Sequence, residues 1–202
     1  MQVLKDDLKK KIISAASEEF RVHGYKESSM RSIAAKAGIT AGNIYRYFEN
    51  KESLLQAIID PCLKEIEHTI AECTDGKVDM DFDSDEHING AVLNLNMKLF
   101  SRGLVQIGEK YPDAMQFIAR DEVYHSKYRV WLTSVLFVYY SQHCTGQSTA
   151  YNRIVASIGA DTLIDTVICT LKYASQCREN QIDLSGILYR CLNAVIPSEV
   201  QI

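Results

Sequence analysis

A stretch near the start of the chain (residues 38–54) reads GITAGNIYRYFENKESL and combines small, hydrogen-bonding, cationic and aromatic side chains. Its small or hydrogen-bonding leading positions are Thr40, Ala41, Gly42 and Asn43. Side chains of this kind let a helix enter the major groove of DNA, where polar groups can bond base edges. The polar side chains that follow, and that can reach phosphates, are Tyr45, Arg46 and Lys51. The chemistry that this pattern predicts is therefore DNA binding.

The helix that carries these residues needs neighbours to hold it. Apolar residues recur at helical spacing from Leu8 to Phe20, and Gly24 ends that run, which predicts a first helix. Ser29 stands where an N-cap belongs before a short second helix, and Gly38 closes it.

The third and fourth helices also begin at capping residues. Thr40 is placed to cap the helix that holds the polar residues, with Ile44 and Phe48 facing inward. Asn50 is placed to cap a long fourth helix, whose apolar residues continue to Ile70. Four helices are therefore expected in about seventy residues.

The second and third helices have the spacing of a helix-turn-helix. Ala34 is small where the helices would cross, Gly38 permits a sharp reversal, and Ile39 and Ile44 would fix the angle of the third helix. The alternative is an inert helical bundle whose Arg and Lys side chains are merely solvated.

A wider segment, IISAASEEFRVHGYKESSMRSIAAKAGITAGNIYRYFENKESLLQAI, resembles the N-terminal domain of the TetR family of bacterial transcriptional repressors. The resemblance covers about a quarter of the chain. The positions that match the family's spacing are Ala16, Phe20, Gly24, Tyr25, Ile33, Ala34, Ala37, Gly38, Ile44, Tyr45, Tyr47, Phe48, Lys51 and Leu54. Arg46 departs from the pattern, since many members carry histidine there, and favours a permanently charged phosphate contact.

The resemblance implies an all-α fold with a three-helix DNA-binding domain (residues 1–52) followed by a larger helical ligand-binding and dimerisation domain (residues 53–202). It assigns phosphate contacts to Thr40, Tyr45 and Lys51. It assigns base-edge or phosphate contacts to Arg31, Asn43 and Arg46. The complete set of candidate DNA-binding residues is Ser29, Arg31, Thr40, Ala41, Gly42, Asn43, Tyr45, Arg46, Tyr47 and Lys51.

The charge distribution agrees with two parts that meet different partners. The 202 residues carry a net charge of −4, but residues 1–52 hold ten Lys and Arg against seven Asp and Glu. Residues 53–202 hold twelve against nineteen. No run of eighteen apolar residues and no signal sequence is present, so a cytoplasmic protein with no membrane partner is expected.

The second part must supply any ligand site from its own residues, because the resemblance provides no motif there. Residues 75–86 are acidic and predict a solvated loop, without the pattern of a calcium-binding loop. Residues 87–108 predict a buried helix, and an aromatic-rich helical run follows from Tyr111. The candidate pocket residues are Asn96, Phe100, Gln106, Tyr124, Tyr128, Trp131, Asp161 and Asp165. Core packing for the aromatic rings and solvent exposure for the two aspartates are the alternatives.

A long helix (residues 149–178) and a terminal helix (from Leu184) present apolar faces that predict a homodimer through a four-helix bundle. The candidate interface residues are Ile164, Ile168, Leu171, Leu188, Leu192 and Val195. Two-fold symmetry also suits a palindromic operator, because it doubles the contacts of one recognition helix.

No catalytic constellation emerges, so no enzyme and no cofactor are expected. The five histidines are dispersed, and the six cysteines form no Cys-x-x-Cys pair, which favours buried cysteines over a metal site. The expected function is a ligand-responsive repressor that binds double-stranded DNA and is released by an unidentified small molecule. The alternative is a helical interaction protein whose basic N-terminal part docks an acidic protein.

Pro61 lies within the predicted fourth helix, where a proline removes one hydrogen bond and crowds the preceding turn. The sequence therefore predicts a kink or a restart near residues 57–61, and suggests a hinge between the two parts.

Overall fold

A computed structural model of the chain describes residues 2–74, 96–120, 122–143 and 146–195. Every regular element within these ranges is a helix, which confirms the predicted all-α class. The chain divides into two compact units, the first formed by residues 1–63 with 113–115 and the second by residues 64–112 with 116–202. The division falls inside the fourth helix, whereas the boundary predicted after residue 52 lies near the start of that helix.

The first unit is built from α1 (Gln2–Glu27), α2 (Met30–Lys36), α3 (Ala41–Ile44) and the first part of α4 (Lys51–Cys73). Its core consists of apolar side chains from all four helices. They include Ile12, Ala16, Phe20, Ile33, Ala34, Ile44, Phe48, Leu54 and Ile58. Burial of these side chains provides the main driving force that holds the short helices in place.

The helix ends follow the local signals in the sequence. Gly24 interrupts the geometry of α1 with a φ of 80°, a region that favours glycine. The Ser29 hydroxyl accepts a hydrogen bond from the backbone N–H of Ser32 at 3.0 Å, and Gly38 follows α2 with a φ of 71°. The Asn50 side chain caps α4 by accepting from the N–H of Ser53 at 2.7 Å. The predicted ends at Ser29, Gly38 and Asn50 are confirmed, whereas Gly24 only kinks α1, which continues to Glu27.

Helix α4 runs through Pro61 without a break, so the predicted restart at this proline is wrong. Pro61 is exposed, and its ring can project outward while the helix continues on either side.

The second unit contains the last part of α4 and the later helices. These are α5 (Met97–Lys110), α6 (Pro112–Arg120, apart from residues 113–115, which belong to the first unit), α7 (Glu122–His143), α8 (Thr149–Lys172), α9 (Ala174–Glu179) and α10 (Leu184–Val195). Helices α7 and α8 pack along each other, and α10 packs on both α5 and α8. The acidic loop at residues 75–86 and the first part of the helix predicted from residue 87 lie outside the described residues.

Two expectations about the C-terminal helices need correction. The helix predicted over residues 149–178 ends at Lys172, and a separate short helix follows Tyr173. Leu188 and Leu192 are fully buried, because α10 uses them to pack on α5 and α8. These two leucines are core residues of one chain and are not available as dimer contacts.

Helix α8 is, among the residues described, the one helix that is long and apolar enough to cross a membrane. Only 28% of its most apolar window is buried inside the protein, so much of it faces outward. Arg153, Asp161 and Asp165 interrupt it, in agreement with the absence of a continuous apolar run.

Candidate nucleic-acid interface

The turn between α2 and α3 is held by backbone hydrogen bonds and by small buried residues. The N–H groups of Gly38 and Ile39 donate to the carbonyls of Ala35 and Ala34, each at 3.0 Å. Ala34 is almost fully buried, so no large side chain separates the two helices at this point. Ile44 is fully buried and anchors α3 to the core. The sequence prediction of a helix-turn-helix matches this arrangement.

Helix α3 presents its leading residues to the outside. The Thr40 hydroxyl accepts from the Asn43 N–H at 3.3 Å, while Ala41 and Gly42 are exposed and Asn43 is half-buried. A Cβ atom placed on Gly42 would meet no heavy atom within 4 Å, so the protein's own packing does not require glycine here. This open space leaves the α3 backbone accessible to a close partner.

An open depression borders α3 and is lined by Gly38, Ile39, Thr40, Gly42, Asn43 and Arg46. Arg31, Tyr45 and Arg46 are exposed, and Tyr47 is half-buried. Hydroxyl and guanidinium groups around a shallow depression can bind phosphate oxygens and the polar edges of bases. Ser29 uses its hydroxyl in the capping box with Ser32, which limits that hydroxyl as a ligand group.

Lys51 has a role inside the unit that the sequence did not reveal. Its ammonium donates to the carbonyls of Tyr25 at 2.5 Å, Ser28 at 2.9 Å and Lys26 at 3.2 Å, and lies 4.5 Å from the centre of the Tyr25 ring. An ammonium has three hydrogen atoms to donate, and these bonds use all of them. The phosphate contact assigned to Lys51 remains a prediction, and it requires some of these bonds to be exchanged.

The Tyr25 side chain extends this junction between the end of α1 and the start of α4. Its hydroxyl donates to a carboxylate oxygen of Glu52 at 2.9 Å, and its ring packs edge to face with Phe20. We call Tyr25, Lys51 and Glu52 the α1–α4 junction. Its hydrogen bonds satisfy carbonyls that would otherwise lack intrahelical partners after Gly24.

A buried carboxylate connects α1 to α2. Glu19 lies 3.4 Å from the Lys36 ammonium and 3.9 Å from a His23 ring nitrogen. The hydrogen bond from the Ser32 side chain, followed by that from Lys36, holds the pKa of Glu19 below its usual range despite burial. Glu19 is therefore ionised at neutral pH and helps to fix α2 against α1.

The candidate pocket residues fall at three different places. Asn96, Phe100 and Trp131 line one cavity in the second unit. Gln106 is exposed and borders a separate hollow beside α9 and α10. The side chain of Tyr124 lies outside the described residues, and Tyr128 is half-buried on α7.

The two aspartates lie on the outer face of α8. Together with Ile158 and Cys169, Asp161 and Asp165 border an open surface hollow. Arg129 binds Asp161 through its Nε at 2.5 Å, and this ion pair holds the pKa of the guanidinium above its usual value. Gln106, Asp161 and Asp165 therefore border hollows that are separate from the cavity lined by Asn96, Phe100 and Trp131.

The remaining candidate interface residues are not fully buried, unlike Leu188 and Leu192. Ile164, Ile168 and Leu171 are half-buried on α8, and the Leu171 side chain packs closely over Gly108 within the unit. The side chain of Val195 lies outside the described residues.

The cysteines follow the expectation of buried thiols only in part. Cys62, Cys73 and Cys177 are buried, Cys169 and Cys191 are exposed, and Cys144 lies outside the described residues. No cluster of metal-binding side chains occurs within the described part of the chain.

Comparison with known sequences identifies the first unit. Residues 12–58 match the family model described as bacterial regulatory proteins, tetR family. An uncharacterised HTH-type transcriptional regulator of Bacillus subtilis, YhgD, is 39% identical over 66 residues, which are 33% of this chain and 35% of that protein. The HTH-type transcriptional regulator UidR of Escherichia coli K12 is 37% identical over 59 residues, 29% of this chain and 30% of that protein. The sequence similarity thus spans about a third of these relatives' length.

Solved structures share the fold over almost the whole chain. The fatty acid degradation regulator FadR from Bacillus halodurans superposes with a TM-score of 0.56 at 16% identity, covering 93% of both chains. SmeT in complex with triclosan superposes with a TM-score of 0.54 at 18% identity, covering 94% of this chain and 90% of SmeT. The family match thus identifies residues 12–58 as similar to the DNA-binding part of tetR family regulators, which are not enzymes, and the chain shares the all-helical fold of these solved structures.

Proposed function

We propose that this protein is a ligand-responsive transcriptional repressor that binds a palindromic operator as a dimer and is released by a small molecule. The observation that carries the proposal is α3, whose exposed Ala41 and Gly42 lead a helix that is capped by Thr40 and anchored by Ile44. A helix with small leading residues can insert its N-terminal end into the major groove.

The contacts proposed for DNA divide into two kinds. Asn43 is assigned a base edge, because its amide can both donate and accept beside the exposed backbone of Gly42. Arg31, Tyr45 and Arg46 are assigned phosphates, because they are exposed and carry donors that suit phosphate oxygens. Phosphate contacts set the position of the protein on the duplex, and base contacts select the sequence.

The proposed dimer face lies on α8. Apolar side chains that are exposed in the single chain support this proposal. Tyr151, Ile154 and Ile158 are 50%, 61% and 62% exposed and recur at helical spacing. Val130 on the neighbouring α7 is 60% exposed. A second copy of the chain is the proposed occupant, because a two-fold axis would place the same apolar patch against itself. Two recognition helices could then reach successive major grooves, about 34 Å apart.

A gel-shift experiment tests the proposal with DNA taken from upstream of the protein's own gene. We expect this DNA to bind at least on the order of 1,000-fold more tightly than random DNA. The logarithm of the binding constant should fall with the logarithm of salt concentration by about 0.9 for each phosphate contacted.

The control compares two single-charge changes. Arg46→Ala should reduce operator affinity and lower the salt slope by about one unit. Lys98→Ala removes an exposed charge from α5 in the second unit and should leave both quantities unchanged. Binding of an acidic protein without any preference among DNA sequences would instead support the interaction-protein alternative.

A further inference from the structure

A cavity in the second unit lies among four helices. Its walls come from the end of α4, the start of α5, the middle of α7 and one residue of α8. The residues that line it are Ile70, Cys73, Thr74, Asn96, Met97, Phe100, Trp131, Leu132, Val135, Leu136 and Leu163. Its volume is about 50 Å³, enough for a few water molecules at roughly 10–15 Å³ each, so a larger guest requires the lining side chains to move.

The polar groups of the lining residues Thr74, Asn96 and Cys73 supply no charge to the cavity. The Thr74 hydroxyl donates to the Ile70 carbonyl at 2.7 Å. The Asn96 side-chain oxygen accepts from the Leu99 N–H at 3.1 Å, as the cap of α5. Burial, followed by the nearby Glu72, raises the pKa of the Cys73 thiol to about 11, so the thiol stays neutral.

The lining therefore determines which molecules can enter at low cost. It contains no Lys, Arg, His, Asp or Glu among the described residues, and its exposed surface is apolar. An ion placed here would lose its hydration without gaining a counter-charge. An apolar molecule would displace only loosely held water and would pack against the rings of Phe100 and Trp131. Met97 has an adaptable side chain that can adjust to the guest.

We propose that this cavity binds a small, uncharged, apolar molecule. That such a molecule is the effector rests on the function proposed above, whereas its binding rests on the cavity alone. The aspartates on the outer face of α8 take no part, since they border a different hollow.

The single tryptophan of the chain, Trp131, gives a direct measurement because it lies in the cavity wall. Toluene and benzoate are suitable probes, since both carry one ring and only benzoate is charged. Toluene should change Trp131 fluorescence in a saturable way and raise the melting temperature. Benzoate should bind roughly 100-fold more weakly or not at all, because its buried carboxylate would have no partner. Equal binding of benzoate, or no binding of toluene, would overturn the proposal.

Two filling variants locate the site. Val135→Phe and Cys73→Met add volume from α7 and from α4, and either one that folds should weaken the toluene effect at least tenfold. Ser141→Phe is the matched control, because this serine is on the same helix but exposed and lies outside the proposed dimer face. If both filling variants fold and bind toluene as the unmodified protein does, the site is elsewhere.

Operator binding is measured separately, with and without toluene. Toluene binding without any operator binding would contradict the proposed function and leave the cavity assignment standing. Operator binding without toluene binding would contradict the cavity assignment alone.

Discussion

Gly42 permits a test at the scale of one residue that separates DNA binding from folding. A Cβ at this position meets nothing within 4 Å, so Gly42→Ala should fold normally. Alanine should even stabilise the helix by about 0.5–1 kcal/mol, because it reduces the flexibility of the unfolded chain. If the α3 backbone approaches the DNA closely, the added methyl group should weaken operator binding about tenfold or more.

Thermal melting and gel shift together check the Gly42 prediction. Ala41→Gly provides the opposite change at the neighbouring exposed position, and should lower helix stability without blocking the approach. Unchanged operator affinity in Gly42→Ala would show that the DNA does not come close to this part of α3.

The sequence predicted where the helices begin and end better than it predicted which face of each helix is exposed. The Ser29 and Asn50 caps bond only to residues three positions later, so local residue types identify them. Leu192 and Ile158 lie on helices that are apolar on several sides, and the tertiary neighbours decide which of them is buried. The role of Lys51 was missed because its three acceptors lie 23 to 26 positions earlier in the chain.

The α1–α4 junction predicts an effect at the scale of elements. Lys51→Met keeps most of the side-chain length but removes the bonds to the end of α1. We expect a loss of about 1–2 kcal/mol in the free energy of unfolding, since hydrogen bonds to a charged group are stronger than neutral ones and this group is half-buried. Chemical denaturation measures the loss.

Lys26→Met is the matched control, because it removes an exposed charge from the same region. A wild-type stability for Lys51→Met would contradict the structural role. The salt dependence of operator binding tests whether Lys51 also contacts a phosphate. If it does, Lys51→Met should lower the slope of the logarithm of the binding constant against the logarithm of salt concentration by about one unit. If Lys51 is purely structural, the slope should stay unchanged.

The oligomeric state is a property of the whole molecule and depends on the exposed face of α8. Ile158→Asp should give a folded monomer, because the isoleucine is 62% exposed in one chain but would be buried in the proposed dimer. Leu192→Asp should instead unfold the second unit, since that leucine is fully buried. Sedimentation velocity and circular dichroism distinguish the two results.

A change on another exposed surface controls for the added charge in the dimer experiment. Val22→Asp alters a valine that is 55% exposed on α1 and should leave the oligomeric state unchanged. A dimer that persists in Ile158→Asp at the same concentration would exclude this face as the interface.

Pro61 allows a test of communication through the whole molecule. Helix α4 belongs to both compact units, and the division between them follows Leu63, two residues after the proline. Proline withholds one hydrogen bond from the helix, which makes bending easier at this point. If effector binding changes the operator affinity by bending α4, Pro61→Ala should leave each affinity measurable but reduce the factor by which one ligand alters the other.

The coupling factor is the ratio of operator affinities measured with and without a saturating effector. Its change should be on the order of 1 kcal/mol or more, since allosteric coupling energies are typically about 1–3 kcal/mol. Pro61 is exposed, so alanine removes no core contact, and Gln56→Ala, at another exposed position of α4, controls for a general change in helix propensity. A coupling factor in Pro61→Ala equal to that of the unmodified protein would mean that α4 transmits the signal without bending at this residue.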